Sequence, residues 1–185
     1  MADNYLQFSE MLPNLTAEEA AWLEEQLQKI VVYGDREFVE DDPAIATMPN
    51  DPDFTGPRFL RDDPDFDCRY DVLDFEFAFQ DEHGARSLWL YADTHGNPEH
   101  VAWLIHKFLK RFRPDQCWSL TYANTCSKPI VGEFAGGAVF VTATEIKQQT
   151  TDDFIQQERA AFKQSKTPRP IRPMRTASAV GVVNW

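Results

Sequence analysis

The stretch Asn97–Tyr122, NPEHVAWLIHKFLKRFRPDQCWSLTY, constrains the fold more than any other part of this chain. Asn97 is a good helix N-cap, because its side-chain oxygen can accept from an early helical N–H. Pro98 suits the first helical position, where its missing donor costs nothing. Glu99 sits at the positive end of the helix dipole, and Lys107, Lys110, Arg111 and Arg113 crowd the negative end. Val101, Leu104, Ile105, Phe108, Leu109 and Phe112 recur at three- and four-residue spacing and make one wide apolar face. Pro114 forbids continuation. Trp118, Leu120 and Tyr122 then alternate with Ser119 and Thr121, the period of a half-buried strand. A helix with one apolar face needs a layer to cover, and the flanking sequence supplies it.

Leu73, Phe75, Phe77 and Phe79 alternate with Asp74, Glu76, Ala78 and Gln80, which predicts a strand with one aromatic and one largely acidic face. Asp81-Glu82-His83-Gly84 is turn chemistry, and Arg86–Tyr91 is the return strand of a hairpin. Gly136 and Gly137 precede a further strand at Val139–Val141. Upstream, Thr16-Ala17-Glu18-Glu19 is a capping box that opens a helix running to about Ile30. Residues 5–12 read as a short turn or edge strand before Pro13. Thr150 or Thr151 caps a last helix, DDFIQQERAAF. The order of elements implies an α+β fold: a four- to five-stranded, mainly antiparallel sheet with about three helices packed on its aromatic face. Its length of 185 residues suits one domain, taken as residues 1–164. Within it, residues 34–70 read as an acidic, proline-rich surface excursion pinned by Phe54, Phe59, Leu60 and Phe66. Residues 165–185 read as a basic, proline-rich tail outside the fold and disordered.

Charge is unevenly spread. The net charge is −12. Residues 1–34 hold six acids and one base, and residues 35–76 hold fourteen acids and four bases, so the first 76 residues carry −15. Residues 165–185 carry four bases and no acid. A field of that sign repels nucleic acid and attracts basic partners. Direct DNA binding by the core is therefore not expected. No apolar run approaches the roughly 18 residues of a membrane span, and the N-terminal residues have no basic-then-apolar pattern of a secretory signal. Three cysteines, Cys68, Cys117 and Cys126, form neither an even framework nor a CxxC pair. Reduced thiols and a cytoplasmic location are the expectation.

Candidate chemistry is sparse. Asp93 to His100 gathers His95, His100 and two acids, with His83 near through the hairpin. These are ligand types for a transition metal, but His95 precedes the helix and His100 lies within it, so they are not a ready pair. Asp63, Asp65, Asp67 and Asp71 resemble clustered calcium ligands, yet the glycine and terminal glutamate of a calcium loop are missing. Cys126 lies just past a strand end beside Lys128, which would lower a thiol pKa. A Cys–His enzyme would need His95, His100 or His106 alongside in space. Gly132–Gly137 precedes a strand and matches no phosphate loop. No cofactor is expected.

FLKRFRPDQCWSLTYANTCSKPIVGEFAGGAVFVTATEI, with SLWLYAD and FSEMLPNLTAEEAAWL, resembles a family of uncharacterised bacterial proteins associated with mobile or accessory genes. The resemblance spans roughly residues 8–162 and implies an accessory role; it brings no activity and no site residue. The functional expectation is a non-enzymatic, acidic interaction domain. Asp62, Asp63, Asp65, Asp67, Asp71, Asp74 and Glu76 would imitate a phosphate backbone and occupy the groove of a basic, nucleic-acid-binding protein, as an anti-defence inhibitor or regulator does. The alternative is a small Cys- or metal-dependent hydrolase or transferase using Cys126 or His95 and His100.

Overall fold

The computed structural model describes residues 2–61, 74–82 and 84–166. The central helix forms as its sequence dictates. Helix α2 spans Pro98–Phe112, Asn97 caps it by accepting from the Glu99 N–H, and Val101, Leu104, Ile105, Phe108 and Leu109 are buried. Helix α1 spans Ala17–Leu27 behind a complete capping box. The Thr16 hydroxyl accepts from the Glu19 N–H at 3.2 Å, and the Glu19 carboxylate accepts from the Thr16 N–H at 2.8 Å. The helix stops three residues short of Ile30. Gln28 turns extended, and Ile30 is spent on a strand.

Both helices cover one face of a six-stranded sheet. Its strands are β1 (Asn4–Leu15), β5 (Glu76–Glu82), β6 (Ala85–Ala92), β7 (Cys117–Cys126), β8 (Ala135–Thr142) and β9 (Ile146–Thr150), in the order β5-β6-β1-β7-β8-β9. Every neighbouring pair is antiparallel. Strand β1 is therefore central, not a turn or an edge. Being antiparallel to both β6 and β7, it makes those two strands parallel, and α2 is the crossover between them. By the same reasoning β1 and β5 are parallel with β6 between them. Two split β-α-β units are thus interleaved.

The sheet has more strands than the four or five expected, for two reasons. Strand β9, IKQQT, is too polar to show an alternating pattern. Strand β1 breaks the alternation with Glu10 between buried Phe8 and Leu12. The described part of the excursion, residues 34–61, is also more ordered than expected. Residues 29–57 build a second sheet from β2 (Lys29–Tyr33), β3 (Arg36–Val39) and β4 (Phe54–Pro57), in the order β3-β2-β4. Gly34 makes the β2–β3 turn at φ +58, and the Asp53 carboxylate accepts its N–H. Val31–Tyr33 reads from the sequence as the start of a short strand and lies in β2, whereas β3 and β4, of four residues each, carry too little periodicity to be read. Phe54, Phe59 and Leu60 are buried as anticipated, in one cluster with Leu88, Leu104 and Phe108. Phe66 lies outside the described residues.

Alternation along the strands sorts the two faces. Phe8, Leu12, Leu88, Leu90, Trp118, Leu120, Val139 and Val141 point at α1 and α2 and are buried. Tyr122 continues this row and lies over Gly137. A Cβ at Gly137 would come within 2.5 Å of the Tyr122 hydroxyl and 2.7 Å of the Gln149 carbonyl, so the glycine makes room for the ring. Gln148 Nε2 donates to that hydroxyl at 3.1 Å.

Only two of the three expected helices pack on this face. Helix α3 (Thr151–Lys166) leaves the β9 edge with Thr150 and Asp153 capping each other. Gln149 Nε2 donates to Gln157 Oε1 at 3.3 Å. Gln149 pairs with Ala138, whose side chain points away from α1 and α2. Helix α3 therefore stands on the opposite face, exposed over residues 151–163. Among the described residues no helix is long and apolar enough to cross a membrane.

Candidate functional site

The carboxyl ends of β6 and β7 and the start of β1 meet at one end of the large sheet. Backbone bonds draw the connecting loops onto that end. The Leu6 N–H donates to the Thr94 carbonyl at 3.0 Å, and the Asn97 N–H to the Asp74 carbonyl at 2.6 Å. Asn4 Nδ2 donates to Glu133 Oε2 at 2.7 Å and holds the β7–β8 loop beside β1. Gly96 lets the loop before α2 lie flat. A Cβ there would be 2.6 Å from both the Ala92 Cβ and the Phe8 ring.

The result is a cleft of about 350 Å³ lined by Asn4, Asp74, His95, Asn124, Thr125 and Glu133 above a floor that includes Leu6. Two carboxylates, one imidazole, two carboxamides and the hydroxyl-bearing Tyr5, Thr94 and Thr125 line it. Such a set can hold a small polar or cationic group by hydrogen bonding. Among the described residues the lining contains no thiol and no serine.

The cleft gathers some of the sequence-derived candidates and separates others. Asp74 and His95 line it. Cys126 is at the same end of the sheet, opposite Asn4 in the β1–β7 ladder. It is a free thiol, half-buried, and it is not among the lining residues. His106 is elsewhere. Its Nδ1 lies 2.8 Å from the Thr142 carbonyl, and Thr142 pairs with Cys117 at the far end of β7. Nine residues of strand separate the two ends, about 30 Å. His106 therefore cannot serve Cys126. His100 is buried within α2. Among the described residues no group of three or more His, Cys, Asp or Glu is placed to hold a metal ion. Asp62, Asp63, Asp65, Asp67, Asp71 and His83 lie outside the described residues.

Glu76 is on the other face of the sheet, across from Tyr91. Its carboxylate faces the Tyr91 side chain and, together with nearby Asp93, holds the phenol pKa above its ordinary value. Tyr91 stacks on Trp89, with ring centroids 4.0 Å apart and planes 19° apart. Trp89 Nε1 donates to Ser9 Oγ at 2.9 Å. This half-buried aromatic pair was legible in principle: in SLWLYA the leucines alternate with Trp89 and Tyr91, so burying one set turns the other outward. The cleft had no such signal, because its residues come from five separate segments.

Compared with protein-family models, with curated proteins and with solved structures, the chain matches none.

Proposed function

We propose that this chain is an acidic, non-enzymatic interaction domain whose partner is a basic, nucleic-acid-binding protein, and that it acts as a nucleic-acid-mimicking inhibitor or regulator in an accessory, anti-defence-like role. The observation that carries the reading is the −15 of the first 76 residues together with the use of the basic groups there. Arg58 is held between Glu25 and Glu37, Arg61 on Glu37, and Lys29 on Glu40. Those cations are spent within the fold, while Asp35, Asp41 and Asp51 are exposed around the small sheet and Asp74 and Glu76 at the start of β5. Asp62, Asp63, Asp65, Asp67 and Asp71 add to the same field. Fixed carboxylates on a folded frame substitute for phosphates by the same long-range attraction that steers proteins to nucleic acid.

The test is affinity capture from native-host lysate at low and high salt, followed by competition with duplex DNA. A captured protein that binds DNA, and that DNA displaces, is the expected result. Reversing Asp62, Asp63, Asp65 and Asp67 to lysine is expected to weaken that complex on the order of 100-fold, at about 0.7 kcal/mol per exposed charge pair. Unchanged binding by the reversed variant overturns the reading.

The alternative, a Cys- or metal-dependent hydrolase or transferase, draws on one observation: His95 and Cys126 lie at the same end of the sheet. An activated thiol would alkylate with a midpoint below the ordinary thiol range, and His95→Gln would raise it. An ordinary midpoint that His95→Gln leaves unmoved would end that alternative.

A further inference from the structure

We propose that the proline-rich, basic segment 167–185 docks on the face of the large sheet opposite α1 and α2, across the Trp89–Tyr91 stack. The inference does not depend on the partner proposed above. It starts from which residues the register turns outward on that half of the sheet. They are Glu76, Ala78 and Gln80 on β5, Ser87, Trp89 and Tyr91 on β6, and Tyr5, Gln7, Ser9 and Met11 on β1. None of these is lysine or arginine.

The two rings form a fixed ridge. The Ser9 bond holds the indole, and the stack on the indole holds the phenol. Met11, 36 % exposed, pairs with Trp89 on one side. Glu76 pairs with Tyr91 on the other, with Asp93 nearby. Preformed aromatic ridges of this kind accept proline rings, which lose little entropy on binding because their backbone is already stiff. Arginine stacks on the same rings and pairs with the flanking carboxylates. The face is thus complementary to a peptide that carries prolines and arginines at close intervals.

The chain carries such a peptide. After Lys166 come Pro168, Arg169, Pro170, Arg172, Pro173 and Arg175, with no acid to the end of the chain. Helix α3 stands on the same face, as the Gln149–Gln157 bond shows, and it ends at Lys166. From β9 to β6 is four strand spacings, about 19 Å, and the nine residues 167–175 that hold these prolines and arginines extend to roughly 30 Å. That span exceeds the separation, and tethering places the segment at an effective concentration in the millimolar range. Charge favours the contact as well, because a segment of net positive charge faces the remainder of a strongly acidic chain.

The experiment uses the full chain with p-benzoylphenylalanine in place of Ile171, irradiated at low protein concentration and mapped by mass spectrometry. The expected result is an intramolecular crosslink to Met11 or to residues of β5 and β6. The yield is expected to fall on the order of tenfold in R169E/R172E/R175E and, separately, in W89A/Y91A. The arginine variant leaves the sheet sequence intact, so its result stands even where the aromatic variant folds poorly. Crosslinks to the α1–α2 side, crosslinks between molecules, no crosslink at all, or a yield that the arginine reversals leave unchanged would each overturn the proposal.

Discussion

Phe59→Ala will lower the stability of the whole fold by about 3–5 kcal/mol, the cost of emptying a fully buried aromatic site. Phe59 is 0 % exposed, and its ring centroid is 6.4 Å from that of Phe75. Lys107 Nζ donates to its carbonyl at 2.7 Å, which ties the turn after β4 to α2. The same cluster holds Ile30, Val32 and Phe54 from the small sheet and Leu88 and Leu104 from the large sheet and α2. A cavity at this point is shared by both sheets. Urea unfolding followed by far-UV dichroism and by tryptophan emission should therefore shift to a lower midpoint as one transition. Two separated transitions, with only residues 29–60 lost early, would show that the small sheet folds independently. Phe38→Ala is the control. Its half-buried ring meets Tyr33 at 6.3 Å in the small sheet alone, and a loss of about 1 kcal/mol is expected there.

Arg113→Met will cost about 2–3 kcal/mol at neutral pH and much less in acid. Arg113 Nε and an Nη donate to the two Glu19 oxygens at 2.7 and 2.9 Å, and that Nη also donates to the Asn14 carbonyl at 2.9 Å. The guanidinium thereby joins the end of α2 to the β1–α1 turn, where Asn14 sits at φ +56. Removing it leaves the buried Glu19 carboxylate without its cation. The hydrogen bond from Arg113 is the main cause that holds the Glu19 carboxyl below its ordinary value of 4.5, against burial, which pushes it up. A carboxyl depressed in the folded state contributes stability that is complete above its unfolded pKa and is lost as pH falls through the folded one. The gap between wild type and Arg113→Met should therefore be widest above about pH 5 and should close below that ordinary value. Urea midpoints measured across this range check it. A gap that stays constant with pH would show that lost packing of the arginine stem, not the ion pair, is responsible.

Legibility followed locality. Helix α2, the capping box of α1 and the β5–β6 hairpin each carry their signal within a window of some fifteen residues, and each formed where expected. Strand β1 did not announce its central place. Its Phe8 and Leu12 are four apart, with Glu10 between them, and its two neighbours are specified some eighty and more than a hundred residues later. Amphipathy could show that α3 is a helix with Phe154, Ile155 and Phe162 on it, but not which face of the sheet it would stand on. The cleft was beyond reach for a related reason. Asn4, Asp74, His95, Asn124 and Glu133 become neighbours only once the strand order is known. The basic end of α2 was explained by the dipole alone, yet Arg113 also holds Glu19, 94 residues away. Only packing reveals that pairing.

The position of β1 also has a consequence for how the protein is made. Strand β1 leaves the ribosome well before the partners it needs on both edges, and the second of them, β7, is completed only at Cys126. At ordinary elongation rates that delay is on the order of ten seconds. During it, Phe8 and Leu12 have no sheet to join, and both edges of the segment are open to pairing with other nascent chains. Overproduction should therefore favour aggregates seeded by the N-terminal segment, and slower synthesis at low temperature or a bound chaperone should relieve them. By the same logic an alteration near Asn4 is felt in the middle of the sheet, whereas one in β9 reaches only its edge.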